Sequence, residues 1–350
     1  MIRILELFGG IGACSKALER LGIEYEIADY VEIDRYAVKS FNAIHNTNFE
    51  PQDICEWNKA IEADLIMHGS PCQDFSLAGK QAGGDEGSGT RSSLMYETIR
   101  IVEKLKPKYV IWENVKNLLS KKHRHNFNAY LETMEKLGYV NYYQVLNAKD
   151  YGIPQNRERV FTISIRDDSD FKDIGGNPDA GYDDYFAYNF KFPPKQELKL
   201  KLKDMLEDEV DEKYYWNYED INILKTKILD GEEIKYRYNV KVKDIILNND
   251  FKSNEILNID AYNKNIAKIS QTLTTPHNIN FLLINNKIRK PIPLEYWRLM
   301  GFDDEDFEKA SKVNSNNQLY KQAGNSIVVN VLEAILTNLL LDNDNQEVIK

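Results

Sequence analysis

Through residue 165 the sequence alternates short apolar runs with longer amphipathic ones, and this rhythm restricts the fold more than any other feature. Apolar runs at Arg3–Phe8, Ile27–Glu32, Leu65–His68, Tyr109–Glu113, Tyr142–Leu146 and Val160–Ile165 predict strands. Helical periodicity at Ala13–Leu21, Ala37–Asn46, Leu94–Leu105 and Phe127–Leu137 falls between most of them. Such alternation predicts an α/β fold: a mainly parallel, Rossmann-like sheet covered by helices on both faces. The rhythm breaks at about Arg166–Asp184, an Asp/Gly/Asn-rich stretch that reads as a linker. Beyond it, a Lys-, Asn- and Tyr-rich segment from Phe190 to about Asn286 predicts a smaller, irregular second domain. The apolar run Ser326–Leu341 predicts a helix that returns to the first domain.

Charge and cysteine content narrow the function classes. The formal charge of −10 gives no general support to nucleic-acid binding, yet it is unevenly spread. Residues 191–290 hold 18 Lys/Arg against 16 Asp/Glu, a net of +2, so the other 250 residues carry −12. Three cysteines, Cys14, Cys55 and Cys72, without CxxC spacing argue against a disulfide framework and a structural zinc site. The apolar runs are shorter than the roughly 20 residues a membrane span requires, and MIRILELFGG lacks the form of a secretory signal. A cytoplasmic enzyme without a membrane or metal site is the expectation.

Several short motifs carry chemistry. In LELFGGIGACSKAL, glycines 9, 10 and 12 lie between a strand and a helix, where backbone N–H groups can meet a nucleotide-like ligand; the spacing is not the GxGxxG dinucleotide pattern. Read alone, it is equally a tight turn. Glu32 and Asp34 follow the second strand, where an acid can accept from ribose hydroxyls, and Asp53 follows about 20 residues later. In GSPCQDFSLAGKQAGG, Pro71 precedes Cys72 at a strand end and a long polar stretch suited to a lid follows. YVIWENV ends a strand with Glu113-Asn114, and YGIPQNRERVF alternates Arg157 and Arg159, which share a face if extended. A core thiol, a helix cap and a solvated edge are the plain readings of these three motifs taken singly.

Taken in order, FGGIG, SPCQ, ENV, QNRER and QAGNS resemble the motif set of the bacterial and phage DNA (cytosine-5)-methyltransferases, over nearly the whole chain outside roughly residues 167–290. The resemblance implies a class I S-adenosylmethionine-dependent methyltransferase domain at 1–185 plus 318–350 and a target-recognition domain at 190–310. It implies a catalytic set of Cys72 as nucleophile, Glu113 at cytosine N3 and the exocyclic amine, and Arg159 at O2, with Arg157 beside it. For S-adenosylmethionine, which leaves as S-adenosylhomocysteine, it implies contacts from Phe8, Gly10, Gly12, Glu32, Asp53, Ile54, Pro71, Leu94 and Asn325. Gln73, Ser76, Lys80 and Thr272 correspond to DNA-contacting positions, and PIPLEYWRLMGF at 291–302 to an ordering element of the second domain. Double-stranded DNA is the implied partner of a monomeric bacterial or phage enzyme; a cognate restriction endonuclease would not be a stable partner. Departures lie around the cofactor: Glu6, Gly9 and Ala13 stand where the family usually has Asp, Ala and Gly, and Gln52 where Gly is common.

Three rival readings are weaker. A tRNA substrate goes with a Cys-Phe-Thr tripeptide in the eukaryotic relatives, and this sequence has none. A catalytically silent DNA-binding module leaves Cys72, Glu113 and Arg159 unexplained. A nicotinamide oxidoreductase leaves SPCQ unexplained.

Overall fold

The computed structural model describes residues 1–71, 94–167, 190–215, 256–260, 265–273, 280–284 and 287–341. The chain divides into two compact units: Met1–Asn147, Glu158–Lys195 and Val329–Lys350 form the first, Ala148–Arg157 and Gln196–Val328 the second.

In the first unit β1 (Ile2–Leu7), α1 (Ala13–Arg20), β2 (Tyr25–Val31), α2 (Arg35–His45), β3 (Leu65–His68), α3 (Met95–Leu105), β4 (Tyr109–Val115), α4 (Arg124–Lys136) and β5 (Tyr139–Asn147) follow the predicted alternation. After β6 (Gln155–Asn156), β7 (Glu158–Arg166) completes a six-stranded sheet of order β2-β1-β3-β4-β7-β5. β2, β1, β3 and β4 pair in parallel, while β7 runs antiparallel to both β4 and β5. The order reverses between β1 and β3, so a crevice forms beyond the carboxyl ends of these strands, where open α/β sheets bind their ligands.

Strand alternation assigns the helices to faces. Leu5, Leu7, Ile66, Val110 and Trp112 share one buried cluster with Met95 and Val102 of α3 and with Phe127, Tyr130 and Met134 of α4. Residues of opposite parity face α1, as the hydrogen bonds from Ser15 to Glu6 show. Burying each large apolar side chain stabilises the fold by about 1.5–3 kcal/mol, so this cluster holds the sheet's ligand edge in place. α2 starts at Asp34, whose carboxylate accepts from the Tyr36 amide at 2.9 Å.

The unit limits differ from those read from composition. Ala148–Arg157 joins the second unit because β6 pairs in parallel with β10 (Ser270–Gln271). The chain rejoins the first unit at Val329, where α8 (Val329–Leu336) begins and packs on α1. The helical stretch Asn316–Leu341 is long and apolar enough to cross a membrane by length and composition alone, but half of its apolar window is buried in the protein.

The second unit is less irregular than its composition suggests. β8 (Leu257–Asp260), β9 (Asn265–Ala267), β11 (Asn280–Ile284) and β12 (Lys287–Arg289) form an antiparallel sheet of order β12-β11-β8-β9. Beside it lie α5 (Pro293–Leu299), α6 (Asp304–Ser311) and α7 (Asn316–Asn325). Glu295 of α5 is fully buried, paired with Arg289 at 2.6 Å, and also accepts from the Glu207 and Ile292 amides. The acidic run at residues 303–308 is only partly solvated: Asp306 is buried and accepts from the Asp303 amide at 3.0 Å, capping α6.

Candidate active site

The glycine turn after β1 is held in an uncommon conformation. Phe8, Gly10 and Gly12 have φ of 54°, 56° and 81°; for Phe8 this left-handed state costs on the order of 1 kcal/mol. A β-carbon at Gly9 would stand 2.7 Å from the Tyr30 ring, and one at Gly12 would stand 2.8 Å from Phe41. At Gly10 it would meet nothing within 4 Å, so the turn is closed from behind and open at Gly10. The Tyr30 hydroxyl donates to the Gly10 carbonyl at 2.6 Å.

Glu32, beyond β2, accepts from the Gly10 amide at 3.2 Å and the Asp34 amide at 2.8 Å. Loss of solvent raises its carboxyl above the ordinary range, with those amides opposing the rise. Gln52 staples the next segment to β2: its side-chain amide donates to Asp29 at 3.0 Å and to the Tyr30 carbonyl at 2.6 Å. Its backbone amide donates to the Glu32 carbonyl. This explains why a glutamine serves where a glycine is common. Asp53 accepts from the Cys55 amide at 2.9 Å, and Ile54 is buried. Leu94, immediately before α3, packs half-buried against the core. Sequence reading passed over Ile33, an apolar side chain 67 % exposed between Glu32 and Asp34; its only signal is an isoleucine in an acidic strand-end motif.

β3 and β4 bring two predicted motifs together. After His68 the chain runs through Gly69, buried Ser70 and half-buried Pro71 toward Cys72; Cys72, Gln73, Ser76 and Lys80 lie outside the described residues. The Ser70 hydroxyl accepts from the Trp112 indole N–H at 3.0 Å, and the Ser70 carbonyl from the Asn114 side-chain amide at 3.4 Å. The residues before Cys72 are thus tied to the two residues flanking Glu113. Behind them His68 is fully buried, lies 3.3 Å from the Tyr130 hydroxyl, and stacks with Trp112 at 5.7 Å between centroids. Burial lowers its pKa to about 3, which keeps the ring neutral. Sequence reading missed this Ser70–Trp112–His68 group because only the parallel register, His68 beside Trp112, reveals it.

Glu113 and Arg159 meet across β4 and β7. Val115 lies opposite Arg159 and Glu113 opposite Phe161, so the ion pair runs diagonally, with the Arg159 Nε 3.0 Å from a Glu113 carboxylate oxygen. Both side chains are mostly withdrawn from solvent, and Arg159 also donates to the Glu158 carbonyl at 2.8 Å. A guanidinium so held fixes the carboxyl plane and presents positive charge next to it.

Arg157 does not share that arrangement, contrary to the expectation from its alternation with Arg159. The strand breaks at Arg157, whose guanidinium is buried in the second unit and donates to the carbonyls of Leu273, Gly324 and Ser326 at 3.0, 3.2 and 2.8 Å. It cross-links three backbone segments. Thr272 also belongs to the second unit, and its hydroxyl donates to the Asn156 carbonyl at 2.8 Å. Asn325 is the exposed last residue of α7.

A sheet of this order, with a glycine turn after β1, an acid beyond β2 and one reversed strand, is the class I S-adenosylmethionine-dependent methyltransferase fold. A family model for C-5 cytosine-specific DNA methylases matches residues 2–340. The chain is 34% identical to the type II methyltransferase M2.ScrFI of Lactococcus lactis subsp. cremoris, covering 97% of this chain and 99% of that protein. It is 32% identical to the type II methyltransferase M.HhaI of Haemophilus parahaemolyticus, covering 97% and 94%. The solved structure of S. pombe Dnmt2 methyltransferase aligns over 99% of this chain and all of that one, with a TM-score of 0.64 at 19% identity, a likeness of fold. The chain belongs to the C-5 cytosine-specific DNA methylase family and is a DNA cytosine-5 methyltransferase.

Proposed function

We propose that the enzyme methylates C5 of a cytosine flipped out of double-stranded DNA, in a particular sequence context, through a transient bond between Cys72 and C6. The observation that carries this reading is the Glu113–Arg159 pair, in a sheet whose neighbouring strand end, tied down through Ser70, leads into Cys72.

Cytosine C5 is a weak nucleophile. Attack of the Cys72 thiolate on C6 forms the S–C6 bond and moves the ring's π electrons toward N3, giving C5 enamine character. As that charge develops a proton passes through the Glu113 carboxyl to N3, and Arg159 faces O2; both act only as the covalent bond forms. S-adenosylmethionine, when bound, supplies the electrophilic methyl group. After methyl transfer N3 returns its proton to Glu113. C5 then loses its proton to a base, the C5–H electron pair forms the C5=C6 double bond, and the C6–S pair leaves with sulfur, which restores the neutral ring and the thiolate. None of these atoms is accessible in a stacked duplex, so the base leaves the helix at a cost of a few kcal/mol.

The first unit fits that cofactor. Gly10 is open and left-handed where a ligand approaches the backbone, Glu32 supplies an oxygen acceptor for ribose hydroxyls, and Ile33 offers an apolar surface to the adenine beside Asp53 and Ile54. Phe8, Gly12, Pro71, Leu94 and Asn325 complete the set by family resemblance. Gln73, Ser76 and Lys80 are assigned to DNA, as is Thr272, whose hydroxyl can still accept. Arg157 positions the backbone before Arg159 rather than touching the base. The second unit reads the target. Bacterial and phage relatives support a cytoplasmic location; that the enzyme is monomeric and forms no stable complex with a cognate endonuclease is part of the proposal.

Bisulfite sequencing of host DNA after expression tests the reading. Protected cytosines in one sequence context, lost with Cys72→Ala, are expected; methylation persisting in that variant would refute the nucleophile's assignment.

A further inference from the structure

Downstream of Glu113 the chain carries a local charge opposite to that of the whole protein. From Asn114 to Leu131 there is no Asp or Glu, while Lys116, Lys121, Lys122 and Arg124 fall in that span together with His123 and His125. Lys116 is paired with Glu158 at 3.0 Å. Lys121 and Lys122 are exposed, in the turn that leads into α4. Arg124 is held by neutral groups: its guanidinium donates to the Tyr143 hydroxyl at 2.8 Å and to Asn128 at 3.1 Å, and lies over the Phe127 and Tyr143 rings. These neutral groups fix its position without cancelling its charge.

Stability does not account for this cluster. The first turn of α4 has no acidic residue, and its positive end disfavours cations placed just before it. Burial lowers the His123 pKa below the usual histidine value, with smaller contributions from the charges of Lys122 and His125. Lys121 and Arg124 place positive charge against the helix dipole in a protein of net charge −10, a setting that suits an anionic partner.

We propose that Lys121, Lys122 and Arg124 form a phosphate-binding surface on the catalytic unit, which grips the backbone of the duplex that donates its cytosine to the site beyond Glu113. The inference rests on the proposed DNA reading and extends it, since the sequence assigns DNA contacts to Gln73, Ser76 and Lys80 after Cys72 and to the second domain, with Thr272, and none to the segment after Glu113. Phosphate binding of this kind carries no sequence information but sets affinity and its dependence on salt.

The test compares the full-length enzyme with Lys121→Ala/Lys122→Ala and Lys121→Glu/Lys122→Glu variants. The readouts are duplex binding across a salt series, S-adenosylhomocysteine binding, and thermal unfolding. The alanine pair is expected to weaken duplex binding about tenfold and to lower the salt slope by ~0.9 for each phosphate that the protein no longer neutralises. The glutamate pair should weaken it further while melting no lower than wild type, since anions suit a helix N-terminus. S-adenosylhomocysteine affinity should not move. Wild-type affinity and salt slope in both variants, with methylation by the parent enzyme intact, overturn the surface and leave the reaction standing. A parent enzyme that fails to methylate DNA overturns the reaction and the surface together.

Discussion

The Tyr30 ring occupies the space that a β-carbon on Gly9 would need, 2.7 Å from the ring's Cε2, and its hydroxyl holds the next carbonyl along, that of Gly10. The two positions are therefore coupled, which fits a glycine at a position where the family resemblance implies alanine. Gly9→Ala should cost about 1–3 kcal/mol by overpacking. In a Tyr30→Ala background the same change should cost clearly less, with the Glu6 Cβ at 3.1 Å as the remaining close neighbour, although Tyr30→Ala is itself destabilising because Phe41 loses its stacking partner. Denaturant unfolding of the four proteins checks this; additive effects would show that the two sites are independent.

Glu113 and Arg159 act as a unit in the proposed chemistry. Glu113→Gln keeps a hydrogen-bonding group but cannot pass a proton to N3, and Arg159→Lys keeps the charge but loses the planar guanidinium. Each is expected to lower kcat by about 10²–10³-fold, in line with the loss of one preorganised partner of developing charge. Single-turnover methyl transfer measures it, with thermal unfolding as control. Wild-type rates in either variant would remove that residue from the mechanism.

In the proposed mechanism Ser70, bonded to Trp112, positions the approach to the nucleophile. Ser70→Ala leaves a buried indole N–H without that acceptor and should cost about 1–3 kcal/mol. A structural role alone would leave catalysis in the surviving folded fraction unchanged. The expectation here is a slower single-turnover rate that Ser70→Thr restores, and equal rates for Ser70→Ala and the parent would contradict it.

Glu6 gives the fold a pH dependence. Burial raises its carboxyl from 4.5 to about 7, with the Ser15 hydroxyl and amide opposing the rise. Because the folded value exceeds the unfolded one, protonated Glu6 favours the folded state. That contribution is complete below the unfolded value and disappears as pH climbs through about 7, a change on the order of 3 kcal/mol. Denaturation midpoints between pH 5 and 8 should fall for the parent and stay nearly level for Glu6→Gln; parallel curves for the two would exclude Glu6 as the cause.

Much of this was legible in the sequence, for identifiable reasons. The strands and helices of the first unit carry strong periodicity, and Leu65–His68 has the bounds predicted for it. Phe8, Glu32 and Glu113 could be placed at or near strand ends from periodicity, and the parallel sheet brings those ends to one edge. Arg157 was assigned to the face of Arg159 because alternation assumes an unbroken strand, and the break between β6 and β7 sends its side chain elsewhere. The second unit was harder to read because its strands are short and their partners lie far apart in sequence, as with Asn280 opposite Asp260. Charge counting alone would leave Asp306 in solvent; helix capping turns it inward.

The central claim is that Cys72 bonds to C6 of the target base. A duplex carrying 5-fluorocytosine at the methylated position tests it directly, since fluorine at C5 cannot leave as the proton does and the S–C6 bond is trapped after methyl transfer. With S-adenosylmethionine present, denaturing electrophoresis and peptide mass mapping should show a stoichiometric DNA adduct on Cys72, absent from Cys72→Ala. A protein that binds this duplex and methylates the unfluorinated one, yet forms no adduct, would contradict the covalent route.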